Sequence, residues 1–333
     1  MEEFLVNALV LGATGQLGAN LTRALLARGH HVRAFIRPAS PMHTLAGLDI
    51  ERVYGDLRDY ETVARACRGV QVVYQAASYY PHATIPVDEA KAQALAETNN
   101  LLEAVRHNGV DRLVFTSTLT TIGPPRQAGQ LADETCPFTT SFPNNPYLVA
   151  KAAMEARVLE AAQQGIPAVV VNPTVFLGPY DRKPTSGTQI VLIAKRLMPG
   201  YIQGPVNVID VRDVAEAMIN AADRGRIGER YIIGNWNTTQ KDLNALIAKV
   251  AGVPAPFLPV PFSLARAGAK VGEWTFRMIL RRPPLVPAFF VEMFPHMQQY
   301  NCTKAINELA YPRHPVEQAI RDALEWFKQN GYV

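Results

Sequence analysis

Tyr147 and Lys151 stand four residues apart in a stretch of helical pattern, so both side chains fall on one face. A phenol and an ammonium in that relation can exchange a proton with a substrate oxygen. The phenol's ordinary pKa of about 10 is too high for this near neutrality, and a neighbouring cation lowers it by stabilising the phenolate. The spacing recurs at Tyr300 and Lys304, but that pair lies far from any glycine loop and reads as structural. Tyr147 differs because it follows a strand pattern, Arg112 to Thr116, that runs into Thr116-Ser117-Thr118, with Thr120 and Thr121 beyond. A hydroxyl at a strand's carboxyl end can orient the same oxygen.

The second group is Gly12, Gly15 and Gly18, spaced three and three. Such a triple is weak by itself, but this one follows an apolar run and opens a helical pattern. Glycines there let the backbone approach a pyrophosphate, and the helix amides attract its charge. The next strand pattern closes Phe35-Ile36-Arg37, with Arg33 nearby and no acid until Asp49. An acid there would hold the ribose diol of NAD, whereas a cation accommodates the extra phosphate of NADP. NADP(H) is therefore the expected cofactor, with NAD(H) as the alternative.

These groups need a scaffold that brings distant loops together, and the hydrophobic rhythm supplies one. Apolar runs of strand length at 4–11, 31–36, 53–54, 70–75, 112–116 and 168–171 alternate with helical patterns, among them 60–67, 90–107 and 146–164. This is the signature of an α/β fold with a doubly wound parallel sheet covered on both faces. Beyond Pro173 prolines break the rhythm, although Val208–Val211 and Tyr231–Ile233 have strand composition and can return to the sheet. The expected division is a Rossmann domain over 1–175 plus about 206–235, and a smaller mixed substrate lobe over about 176–205 and 236–333.

Composition excludes other classes. With 48% apolar and 19% charged residues the chain can bury a full core, and a formal charge of +4 spread without a block of five like charges does not describe a nucleic-acid arm. Cys67, Cys136 and Cys302 are odd in number and far apart, which argues for a reducing cytoplasm and against a disulfide framework or a metal site. No export signal is read at the N-terminus. The most apolar stretch, Met278–Phe294, is interrupted by Arg281, Arg282, Pro283, Pro284 and Pro287, and reads as a lobe helix or lid rather than a transmembrane segment, with an interfacial role as the minor alternative.

Taken together the motifs resemble the extended short-chain dehydrogenase/reductase superfamily, and within it the NAD-dependent epimerase/dehydratase group. The resemblance rests on Gly12-Ala-Thr-Gly-Gln-Leu-Gly18, Gly55-Asp56-Leu57, Gln75-Ala76-Ala77, Thr116-Ser117-Thr118, Tyr147-Leu-Val-Ala-Lys151 and Asn172-Pro173-Thr174. It implies that Thr118 replaces the family's catalytic Ser, that Tyr147 is the acid/base, and that Lys151 binds the nicotinamide ribose and tunes Tyr147. It further implies cofactor contacts from Gly12, Thr14, Gly15, Gln16, Leu17 and Gly18, from Arg37, from Asp56 and Leu57 at the adenine, from Ala76, Ala77 and Ser78 at the cofactor's middle, and from Pro173 and Thr174. Tyr79, Phe176, Tyr180 and Arg212 are the candidate substrate contacts, with Tyr80, His82 and Asp181 beside them. The relatives' use of the helices equivalent to 90–107 and 146–164 implies a homodimer.

The second half looks most like hopanoid-associated sugar epimerases and dihydroflavonol reductases. Departures from the pattern include Ala94 for an Asn, Glu97 for a Gly, Asp210 for a His, and Val206 where sugar epimerases carry an Arg for the diphosphate. The second lobe favours a sugar-type epimerase or dehydratase, possibly of nucleotide sugars, acting on a small-molecule substrate, which is the leading expectation. Arg37 favours the alternative, an NADPH-dependent ketone or aldehyde reductase. A non-catalytic dinucleotide sensor ranks third, because a binder has no need of a proton relay.

Overall fold

The computed structural model describes residues 5–77, 79, 85–127, 129–278 and 291–333. Its first half contains strands β1 (Asn7–Leu11), β2 (His31–Ile36), β3 (Glu51–Tyr54), β4 (Val72–Gln75), β5 (Arg112–Thr116) and β6 (Ala168–Pro173), with helices α1 (Gln16–Ala27), α2 (Tyr60–Cys67), α3 (Val87–His107) and α4 (Pro146–Gln163) between most of them. The second half adds β7 (Val175–Leu177), α5 (Gly187–Ala194), β8 (Gly200–Ile202), β9 (Pro205–Asp210), α6 (Val211–Arg224), β10 (Arg230–Ile233), β11 (Trp236–Thr239), α7 (Gln240–Ala251), β12 (Leu258–Val260) and α8 (Phe262–Met278). Helices Thr303–Leu309 and Val316–Gln329 follow.

Seven parallel strands form the central sheet in the order β10-β6-β5-β4-β1-β2-β3. Successive side chains of a strand point to opposite faces, and here each face meets its own core. Ala8, Val10, Val72, Tyr74, Val114, Val169 and Val171 pack with α1 and α6. Leu9, Leu11, Val73, Leu113, Phe115, Ala168 and Val170 pack with α3 and α4. Burial on both faces is why these strands read as unbroken apolar runs.

Tyr231–Ile233 does return to the sheet, as β10 beside β6. Val208–Val211 does not. It lies within β9 and the start of α6, and β9 pairs with β7 and β11 in a separate three-stranded sheet. The strand stops at Asp210 because that carboxylate accepts from the Arg212 amide at 2.8 Å and caps α6. Val206 and Val208 face a second hydrophobic core, shared with α5, α7 and the helix Val316–Gln329, while Ile209 faces the central one, so an apolar run serves two cores at once. Most of the segment Met278–Phe294, expected as a lobe helix or lid, lies outside the described residues. Among the described helices none is long and apolar enough to cross a membrane.

Candidate active site

The order β6-β5-β4-β1 places four carboxyl ends side by side, with Leu11 opposite Gln75, Gln75 opposite Phe115, and Thr116 opposite Val171. The loops that follow these strands therefore share one edge: the glycine loop, Ala76 and Ala77, Thr116–Thr118, and Pro173 with Thr174.

The three glycines have different duties. Gly12 has φ +81°, and a Cβ there would stand 2.6 Å from the Ala77 backbone. At Gly18 a Cβ would come within 2.2 Å of the Gly12 carbonyl oxygen. These two let loop, helix and the end of β4 close on one another. Gly15 is the N-cap of α1, with no side chain capping the helix and no acid in its first turn. A Cβ on Gly15 would approach only the Gly12 carbonyl, at 3.3 Å. An uncapped helix start behind an open glycine suits a pyrophosphate, so the residues fit a bound dinucleotide. The other loop residues would meet it through their backbone. The Leu17 side chain is in the core, Thr14 offers its carbonyl to the Thr44 hydroxyl at 3.1 Å, and Gln16 Nε2 donates to the Gly178 carbonyl at 2.9 Å.

At the end of β2, Arg37 is exposed. Arg33, expected beside it, is engaged elsewhere: it donates to the Glu51 carboxylate at 2.7 Å and to the carbonyls of Ala66 and Arg68 at 2.8 and 2.7 Å. Asp56 is gripped by the Arg58 guanidinium at 2.9 and 2.7 Å, which holds its carboxyl below the usual carboxylate range. The Leu57 carbonyl accepts from Asn100 at 2.9 Å. Thr174 donates its hydroxyl to Asn207 at 2.8 Å, and Pro173, in β6, is buried beside it. Ser78, Tyr80 and His82 lie outside the described residues.

Tyr147 and Lys151 are 4% and 2% exposed, on the first turns of α4. The Asn145 side chain caps that helix, accepting from the Tyr147 and Leu148 amides at 3.1 and 3.2 Å. Burial pulls the Lys151 ammonium down to about 8, opposed by the nearby Glu155 carboxylate. Thr118, half-buried just past β5, caps the short turn Leu119–Thr121. Tyr300 and Lys304 are structural: the Tyr300 phenol donates to the Leu119 carbonyl at 3.2 Å, and Lys304 donates to Glu229 and the Arg230 carbonyl, both at 2.7 Å.

Sequence reasoning missed the group that joins these parts. Glu155, one turn beyond Lys151, is buried and accepts from the Thr121 hydroxyl at 2.5 Å, from Asn172 Nδ2 at 2.6 Å and from Arg230 at 2.7 Å. Asn172 also donates to the Thr118 carbonyl at 3.2 Å, and the Thr121 hydroxyl oxygen lies 2.8 Å from that carbonyl. One carboxylate thus ties α4, β6, β10 and the turn carrying Thr118. Its signal was the series Tyr147, Lys151, Glu155, three polar residues at steps of four on one helical face.

The substrate candidates are scattered. Tyr79 donates to Gln93 at 3.0 Å. Phe176 packs against the central core. Tyr180, at φ +70°, lies under the Arg23 guanidinium, 3.9 Å from ring to cation. Buried Asp181 accepts from the Thr185 and Gly187 amides at 3.2 and 3.1 Å, and burial pushes its carboxyl up to about 7. Arg212 bonds Asp210 at 2.6 Å and Asp322 at 2.7 Å.

The profile of the NAD dependent epimerase/dehydratase family matches residues 8–234. A Synechocystis sp. protein named as a dihydroflavonol 4-reductase is 36% identical over 97% of this chain and 95% of its own. Sterol demethylase protein B of Methylococcus capsulatus is 32% identical over 98% of this chain and 100% of its own. Among solved structures, PA4631 of Pseudomonas aeruginosa, named as a nucleoside-diphosphate-sugar epimerase, is 31% identical, covers 98% of this chain and 99% of its own, and superposes with a TM-score of 0.81.

Proposed function

The chain belongs to the NAD-dependent epimerase/dehydratase family, a family of nicotinamide-dependent enzymes, and we propose that within it this protein is an NADPH-dependent reductase of a carbonyl group on a largely apolar substrate. The observation that carries this reading is the state of Arg212. Its guanidinium is matched by two carboxylates, Asp210 and Asp322, so a diphosphate would meet that negative charge together with the cation. Val206, at the position of the sugar epimerases' diphosphate Arg, is buried in β9. The sterol named for the Methylococcus relative supports an apolar substrate. The epimerase named for the Pseudomonas structure favours a second reading, in which the same residues epimerise a nucleotide sugar.

The chemistry divides among this chain's residues. A bound nicotinamide supplies hydride to the carbonyl carbon. Tyr147 donates its phenolic proton to the oxygen as negative charge develops there, and Lys151 stabilises the phenolate left behind. Thr118 holds the oxygen by hydrogen bonding, and its branched side chain has few rotamers from which to do so. Burial of Tyr147 and Lys151 strengthens each of these interactions by keeping water out.

A substrate panel separates the two readings. NADPH consumption with apolar ketones and no interconversion of UDP- or dTDP-sugars is expected, and sugar turnover without ketone reduction would restore the epimerase. Arg37 is proposed to bind the extra phosphate of NADPH. Arg37→Ala is expected to raise the KM for NADPH by roughly tenfold or more, as for loss of a hydrogen bond between charged groups, with the KM for NADH little changed. An equal effect on both cofactors would show that the phosphate lies elsewhere.

A further inference from the structure

Asn145 caps α4 with an amide whose two ends differ in chemistry and hardly in size, since the oxygen accepts and the nitrogen donates. It is 1% exposed, and its Oδ1 accepts from the Tyr147 and Leu148 amides at 3.1 and 3.2 Å. Turned over, it would set two more N–H donors against amides that have no acceptor inside the helix. The partner at its other end decides which way it faces.

That partner lies 147 residues onward. Asn145 Nδ2 donates to the Glu292 carboxylate at 3.4 Å, and a carboxylate can only accept, so it takes the nitrogen end and leaves the oxygen for α4. Glu292 is itself fixed. Its side chain is 16% exposed, and its other oxygen accepts from Arg266 of α8 at 3.1 and 3.0 Å, which balances its charge. The residues after it hold the other half of the site. Gln298 donates to the carbonyls of Ile122 and Gly123 at 3.1 and 2.9 Å, just past the turn that Thr118 caps, and the Tyr300 phenol donates to the Leu119 carbonyl inside that turn. The segment 292–300 therefore ties the elements of Tyr147 and Thr118 to one another.

We propose that Glu292 is a positioning residue for Tyr147: it selects the orientation in which Asn145 caps α4, and so fixes where the first turn of that helix holds the phenol. The inference rests on Tyr147 as the acid/base of the reaction. Tyr147 is two residues from the cap, and its own amide is one of the two that Oδ1 accepts from, so an inverted Asn145 displaces the phenol's own turn. A misplacement of about 1 Å can cost on the order of 10²-fold in rate.

The test moves the amide across the pair. Asn145→Asp keeps a good cap but sets a second carboxylate against Glu292, and Glu292→Gln can accept from Arg266 only by turning its own NH2 toward Asn145. In the double variant Asn145→Asp/Glu292→Gln an amide again faces a carboxylate, with the net charge of the wild type. Two quantities are read in the full chain: hydrogen exchange of the Tyr147 and Leu148 amides, and the single-turnover hydride-transfer rate per bound NADPH on the ketone with the highest turnover in the substrate panel. Each single variant is expected to exchange faster and to transfer hydride more slowly, both by roughly tenfold, the equivalent of a lost helix cap, with the Kd for NADPH unchanged. The double variant is expected to return to within about threefold of the wild type in both. Wild-type exchange in Glu292→Gln, faster exchange with no loss of hydride transfer, or a double variant in which the two losses multiply would overturn the proposal. Tyr147→Phe separates this failure from that of the acid/base reading. Turnover lost there without coupling in the cycle overturns the role of Glu292 alone, and turnover that survives there overturns both.

Discussion

Tyr147→Phe is expected to lower kcat by about 10²- to 10⁴-fold, the usual contribution of a positioned general acid, while NADPH binding is unchanged. The substitution removes only the hydroxyl, and the ring keeps its place in a site that is 4% exposed. Stopped-flow hydride transfer and a separate fluorescence titration of NADPH distinguish the two effects. Turnover that survives the substitution would place the proton donor elsewhere. The pH profile carries a second signature. Burial lowers the Lys151 ammonium to about 8, so its charge is present below that pH and lost as pH rises through it. Reduction needs that charge together with a protonated phenol, so kcat/KM in the reductive direction is expected to fall on the alkaline side with a midpoint near 8. A rate flat to pH 10 would remove Lys151 from the relay.

Glu155→Leu is expected to destabilise the fold by about 3–5 kcal/mol, the cost of breaking a buried ion pair and leaving one charge uncompensated. Arg230 is the stranded partner. Its side chain is 16% exposed, and its remaining hydrogen bonds go to the carbonyls of Glu134 and Cys136, which carry no charge to match it. Asn172 and Thr121 lose an acceptor at the same time. Urea unfolding measures the loss, and the double variant Glu155→Leu/Arg230→Met is expected to recover much of it, because removing both charges removes the penalty. If Glu155→Leu unfolds at the wild-type midpoint, the carboxylate is not what holds α4 against β6 and β10. A network that ties Thr118 to α4 also sets the geometry of reaction, so the single variant should lose kcat even where it remains folded.

The features that were readable in the chain are local ones. Gly12, Gly15 and Gly18 could be placed because a strand pattern stops just before them and a helix pattern starts within them, and Tyr147 and Lys151 because four residues return a helix to the same face. Arg37 was legible for the same reason, as the last residue of a short apolar run. The doubly wound sheet followed from short apolar runs of strand length alternating with stretches of period about 3.6, since runs of that length apolar on every residue and rich in Val and Ile suit strands covered on both sides.

Other features depended on partners far away in the chain. Val208–Val211 has the composition of a central strand, yet β9 joins β7 and β11, because burial on both sides is satisfied equally well between two cores. Arg33 and Arg37 look alike in sequence, and only the position of Glu51 and of the carbonyls at Ala66 and Arg68 shows that Arg33 belongs to the fold. Arg212 stood in the sequence as a candidate substrate contact, and only the fold brings Asp322, 110 residues onward in the last described helix, against it. Glu155 and Arg230 are 75 residues apart.

By itself, then, the order of residues determined the element types and placed the candidate dinucleotide loop and the proposed acid/base pair, because each depends on steric and hydrogen-bonding rules that act over fewer than about ten neighbours. The tertiary structure alone decided which charges are spent on one another, which strand edge each run joins, and that Glu292 meets the cap of α4. Burial and ion pairing are properties of surfaces that meet, and residues distant along the chain meet only after it has folded.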